Sequence, residues 1–110
     1  MPSKILIAGG SVIDIENGTR AKRDVLVDGE KIVAVGSASA MTLDKDVRTI
    51  DAQGKFIIPG LWDAHIHMTI WPEFAHQLSA LLVANGITSV RDMGGQIDDV
   101  VALRKHNAQK

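Results

Sequence analysis

The hydrophobic rhythm of this chain changes once, at Pro59-Gly60, and that change limits the folds open to it. From Lys4 to Ile58 short Val- and Ile-rich runs recur as "ILIAGG", "SVIDIENG", "DVLVDGEK", "KIVAVGS", "RTIDAQG" and "KFIIPG". Apolar runs this short, each cut by turn residues, read as strands. Asn17-Gly18 and Asp28-Gly29 suit tight hairpins, because glycine takes positive φ at small cost. Residues 1–58 are therefore expected to form a small antiparallel β module. Its clearest hairpin is "DVLVDGEKIVAVG", with Val25 and Val27 on one face and a return strand carrying Ile32 to Val35. The stretch from Ser37 to Asp46 has no strong period and reads as a loop with one helical turn.

After Pro59 the elements lengthen. "LWDAHIHM" reads as a buried strand and "PEFAHQLSALLVANG" as a helix. That helix has Pro72 in its first turn, Phe74, Leu78, Leu81 and Leu82 along one face, and Asn85-Gly86 as its stop. "ITSVRDM" is a second strand and "IDDVVALRKHN" a second helix, with Asp98 and Asp99 at the positive end of its dipole and Arg104 and Lys105 at the negative end. Strand, helix, strand, helix implies a parallel sheet, so residues 59–110 are expected to be α/β.

Composition narrows the function. A formal net charge of −1 gives no field that would favour nucleic acid or an anionic membrane. With no cysteine, any metal site must use nitrogen and oxygen donors. The first residues, "MPSKILIAGGSV", offer too short an apolar core for a secretory signal or a spanning helix. A mature, soluble, cytoplasmic protein is the expectation. The glycine pair in "ILIAGGSV" lacks the G-x-G-x-x-G spacing of a nucleotide loop and leads into a strand, with no helix to hold phosphate.

"PGLWDAHIHM" carries the chemistry. In a regular strand Leu61, Asp63, His65 and His67 share one face, while Trp62, Ala64, Ile66 and Met68 share the other. One face is apolar. The other gathers a carboxylate and two imidazoles, groups that are costly to bury without partners. Imidazoles two residues apart on a strand have Cβ atoms about 6.5–7 Å apart, close enough to lean onto one divalent ion at about 2.0–2.1 Å. Two histidines on a partly exposed strand also serve as plain polar surface, and spacing alone leaves both readings open.

The run "GKFIIPGLWDAHIHM", following "ILIAGGSVIDIENG" and "VLVDGEKIVAVG" in that order, closely resembles the start of the metal-dependent amidohydrolase superfamily. "NGITSVRDMGG" is similar to the second barrel strand of imidazolonepropionase-like and Xaa-Pro dipeptidase-like members. The resemblance runs from Lys4 to about Leu103. It implies a fold in which residues 1–58 are the N-terminal part of a small β-sandwich module. Residues 59–110 would then be the first two βα units of an incomplete (β/α)8 TIM barrel. It also implies that His65 and His67 bind a divalent metal, with zinc the expected ion. That metal would activate water for hydrolysis of an amide, cyclic amide or dipeptide-type C–N bond in a small molecule.

The same resemblance places the remaining ligands on a lysine or glutamate of a middle strand, two later histidines and an aspartate of the last strand. None of these can be matched here. The chain is thus expected to be an N-terminal fragment that is inactive alone, the alternative being a non-catalytic β-rich interaction module or truncated pseudoenzyme. Asp63 is a candidate supporting carboxylate, orienting a histidine or the strand end, or else a charge at the barrel mouth that pairs with a group outside these residues. His76 and His106 fall on helices and are not counted as ligands. Arg91, Asp92, Gly94 and Gly95 end the second strand where loops would face the site, and they also read as a simple strand-to-helix turn with glycines for backbone freedom. Trp62 and Trp71 read as packing residues, with Trp71 also placed to line a pocket.

Overall fold

The computed structural model describes residues 4–108. The first three residues of the N-terminal segment weighed above therefore lie outside the described residues. The chain divides into two compact units, Met1–Ile58 and Pro59–Lys110.

The first unit is a five-stranded sheet. β1 (Lys4–Asp14), β2 (Thr19–Asp28) and β3 (Lys31–Gly36) form an antiparallel meander, while β4 (Arg48–Asp51) and β5 (Phe56–Ile57) both pair with β1 in parallel. The antiparallel expectation is thus corrected to a mixed sheet. The long connection between β3 and β4, which holds a single 3₁₀ turn at Ala38–Ala40, lets the chain cross over and return parallel to β1. The turns follow the local chemistry. Gly18 and Gly29 take φ of +64° and +57°, and Asp14 accepts hydrogen bonds from the backbone and side-chain N–H groups of Asn17.

The core of this unit is small: Leu6, Val25, Leu26 and Ala52 are buried. Burial of the neighbours Val25 and Leu26 replaces the expected Val25/Val27 face, and the ladder to β3 slips its register at Leu26/Val27. Ile32, Val33 and Val35, on the edge strand, stay exposed. Asp24 joins two separate stretches, its carboxylate accepting from Gly9 N–H at 2.8 Å and from Ala38 N–H at 2.7 Å. These bonds hold its carboxyl below the usual carboxylate range.

The second unit alternates as its sequence predicts. β6 (Leu61–Ile66) and β7 (Ile87–Asp92) pair in parallel, and each is followed by a helix, α1 (Ala75–Ala84) and α2 (Ile97–Asn107). A 3₁₀ turn at Pro72–Phe74 takes up the start of the expected first helix. Ala75 is buried and Leu78 and Leu82 are half-buried, whereas Phe74 and Leu81 are exposed, so the packed face is narrower than predicted. Gly86, with φ +81°, ends α1. Among the described residues no helix is long and apolar enough to cross a membrane.

Candidate metal centre

β6 ends at Ile66, so His67 begins the loop that follows and the strand is shorter than expected. It is also less buried. His65, His67 and Leu61 are exposed, and Trp62 is 72% exposed. Trp71 is 61% exposed. The only strand beside β6 among the described residues is β7, which pairs along one edge and leaves most of both faces open.

The pairing itself is irregular. Asp63 faces Val90 and Ile66 faces Asp92, so Ala64 and His65 together oppose the single residue Arg91. Arg91 Nε donates to the Ala64 carbonyl at 2.9 Å, satisfying an acceptor at the slip. Asp63 accepts a 3.0 Å hydrogen bond from the His65 backbone N–H. It therefore fixes the strand at His65 and does not touch the imidazole.

In spite of the slip, the two rings converge. His65 Nε2 and His67 Nε2 are 3.2 Å apart, with ring centroids 5.2 Å apart and planes tilted by 55°. Two nitrogens at that separation, each about 2.0–2.1 Å from a shared ion, subtend about 100–105° at it, close to a tetrahedral angle. The donor set therefore fits half of a zinc-type site. The same distance also admits an N–H···N hydrogen bond between one donor ring and one acceptor ring. Among the described residues no group of three His, Asp or Glu side chains could hold a metal ion.

The loops that follow the two strands are tied together behind His67. Met93 N–H donates to the Ile66 carbonyl at 2.8 Å, and Thr69 and Gly95 form an isolated parallel bridge. Thr69 is 2% exposed and its N–H donates to Asp92 Oδ2 at 2.9 Å. The Thr69 hydroxyl lies 2.8 Å from Asp92 Oδ2 and 2.9 Å from the Gly94 carbonyl, sharing one proton between two acceptors. Gly94 N–H closes the ring onto Asp92 Oδ1 at 3.0 Å. Burial alone would raise the Asp92 carboxyl. The bonds from Gly94 and Thr69, with the attraction of His67, outweigh burial and bring it below its ordinary range.

Of the two readings of Asp92, Gly94 and Gly95, a turn or loops facing the site, the bonds to Thr69 show a turn that is tied to the loop after β6. Thr69 was missing from the sequence reading altogether. The available signal was a threonine directly after "HIHM" and a lone carboxylate in "RDMGG", which only strand pairing brings together. His76 and His106, set aside as helical residues, lie against each other with ring centroids 4.3 Å apart and planes tilted by 49°.

No protein-family model matches the chain. Over 90 residues the chain is 39% identical to the dihydroorotase of Carboxydothermus hydrogenoformans, a match covering 78% of this chain and 20% of that protein. D-aminoacylase superposes with a TM-score of 0.65 at 34% identity, over 81% of this chain and 18% of its own. Molinate hydrolase superposes with a TM-score of 0.85 over 98% of this chain and 27% of its own, and at 24% identity that likeness is one of fold. The chain belongs to the amidohydrolase superfamily and corresponds to the N-terminal part of its members. It spans about a fifth of the length of the dihydroorotase it matches.

Proposed function

We propose that this chain is the N-terminal part of a metal-dependent hydrolase acting on a C–N bond of a small amide, cyclic amide or dipeptide, with His65 and His67 as two of its metal ligands. In this reading the two βα units open a (β/α)8 barrel, whose sites lie at the C-terminal ends of the strands. His65 and His67 stand at that end of β6. The observation that carries the proposal is the convergence of their Nε2 atoms to 3.2 Å. D-aminoacylase, one of the superfamily relatives, has a binuclear metal center.

A bound divalent ion, zinc by preference, supplies Lewis acidity and a water of lowered pKa. The chain's own residues do the rest of what is visible here. His65 and His67 present imidazole nitrogens to one point, and Asp63 holds the backbone that sets the first of them. A small-molecule substrate would approach over this exposed strand end. Two donors give only part of a coordination sphere, so the 110 residues by themselves are expected to bind metal weakly and to turn nothing over.

The test is native mass spectrometry with zinc on the chain, in a His76→Gln background so that the His76–His106 pair does not contribute. His65→Ala and His67→Ala are each expected to lower zinc occupancy at least tenfold. Occupancy equal to the parent in both variants would overturn the metal assignment.

A further inference from the structure

We infer that Gly94, held by the Thr69–Asp92 pair, positions His67 by serving as the wall against which its ring is set, so that Nε2 and not Nδ1 faces His65. The inference rests on the metal reading given above and extends it to residues outside the ligand set.

The geometry at Gly94 is specific. A Cβ built there would fall 2.1 Å from His67 Nδ1 and 3.1 Å from its Cγ and Cε1. No real side chain tolerates such an approach, so the His67 ring occupies the space that any other residue at 94 would fill. Gly94, unlike Gly95 with φ +94°, is not in the left-handed region. Its backbone therefore does not require glycine, whereas a side chain at 94 would force the exposed His67 ring out of its present position.

Placement of the wall depends on the hydrogen bonds behind it. Gly94 N–H is tied to Asp92 Oδ1, its carbonyl faces the Thr69 hydroxyl, and Asp92 Oδ2 takes the Thr69 N–H. These bonds lock the loop after β7 to the loop after β6, and so lock Gly94 relative to His67. With Nδ1 pressed against the wall, Nε2 is the nitrogen left to meet its counterpart on His65 at 3.2 Å. Groups that orient a metal-binding histidine without touching the metal change metal affinity by about 10–100-fold when removed.

Two readouts test this in the full chain with the His76→Gln change. Histidine side-chain 1H–15N correlation spectra without metal report the setting of the His67 ring, and titration with zinc reports affinity. Gly94→Ala is expected to shift the His67 ring resonances while leaving most backbone resonances in place, and to weaken zinc binding about tenfold or more. Should Gly94→Ala fail to fold, Thr69→Val, which keeps the shape and removes the hydroxyl, is expected to move the same resonances and weaken zinc binding severalfold, and Thr69→Ser to restore both. Unmoved His67 resonances together with parental zinc affinity in Gly94→Ala, or in Thr69→Val if only that variant folds, would overturn the positioning role. The metal reading fails separately, through unchanged zinc uptake in His65→Ala and His67→Ala, and the metal-free spectra still decide the positioning of His67 in that event.

Discussion

Asp92 makes the strand-end cluster sensitive to acid. Its carboxyl is held below the usual range by hydrogen bonds that outweigh burial, so the folded state favours the ionised form more than the unfolded chain does. The contribution is therefore complete above the unfolded carboxylate pKa of about 3.9 and is lost as pH falls through the lower folded value. Comparing urea unfolding of the parent with Asp92→Asn should show the largest stability difference between about pH 5 and 7, shrinking from about pH 4 downward. A difference that stays constant over that range would mean that the carboxylate charge contributes nothing. At this same scale Asp63, expected to orient a histidine or the strand end, bonds to the His65 backbone N–H.

Helix α1 gives the corresponding test at the level of an element. Asn85 N–H and Gly86 N–H bond back to the Leu82 and Val83 carbonyls, and Gly86 at φ +81° turns the chain out of the helix and toward β7. A Cβ at Gly86 would meet nothing within 4 Å, so the only cost of a side chain is conformational. Gly86→Ala should therefore lower stability by about 1–2 kcal/mol, read as a shift of the urea midpoint with an unchanged slope. An unchanged midpoint would place this residue outside the αL cap. The stop was legible as Asn85-Gly86 because cap chemistry is local. The helix face was less so: Leu78 and Leu82 pack and Leu81 does not, a choice made by where β6 and β7 lie beneath the helix.

Across the whole molecule, the described residues leave large apolar groups in water. Ile15 and Ile32 of the first unit, and Trp62, Leu81 and Ile97 of the second, are each at least 60% exposed. Apolar surface of this kind, together with open sheet edges, marks surfaces that associate. The 110-residue chain should accordingly bind the dye ANS in its folded state and show a concentration-dependent mass by light scattering coupled to gel filtration. A dye-silent species of 11.8 kDa at every concentration would contradict that expectation.

The amino-acid order by itself determined the elements and their sequence: short strands cut by glycine turns before Pro59, strand-helix alternation after it, and the two histidines at a strand end. These depend on periodicity, caps and turn chemistry, which act over a few residues. The tertiary structure alone decided that β4 and β5 run parallel to β1, because a crossover's direction is set by packing and not by the residues within each strand. It alone decided the slip opposite Arg91 and the ring of bonds joining Thr69, Asp92 and Gly94. Thr69 and Asp92 lie 23 positions apart, and their meeting follows from strand register, a property of two segments that neither encodes alone.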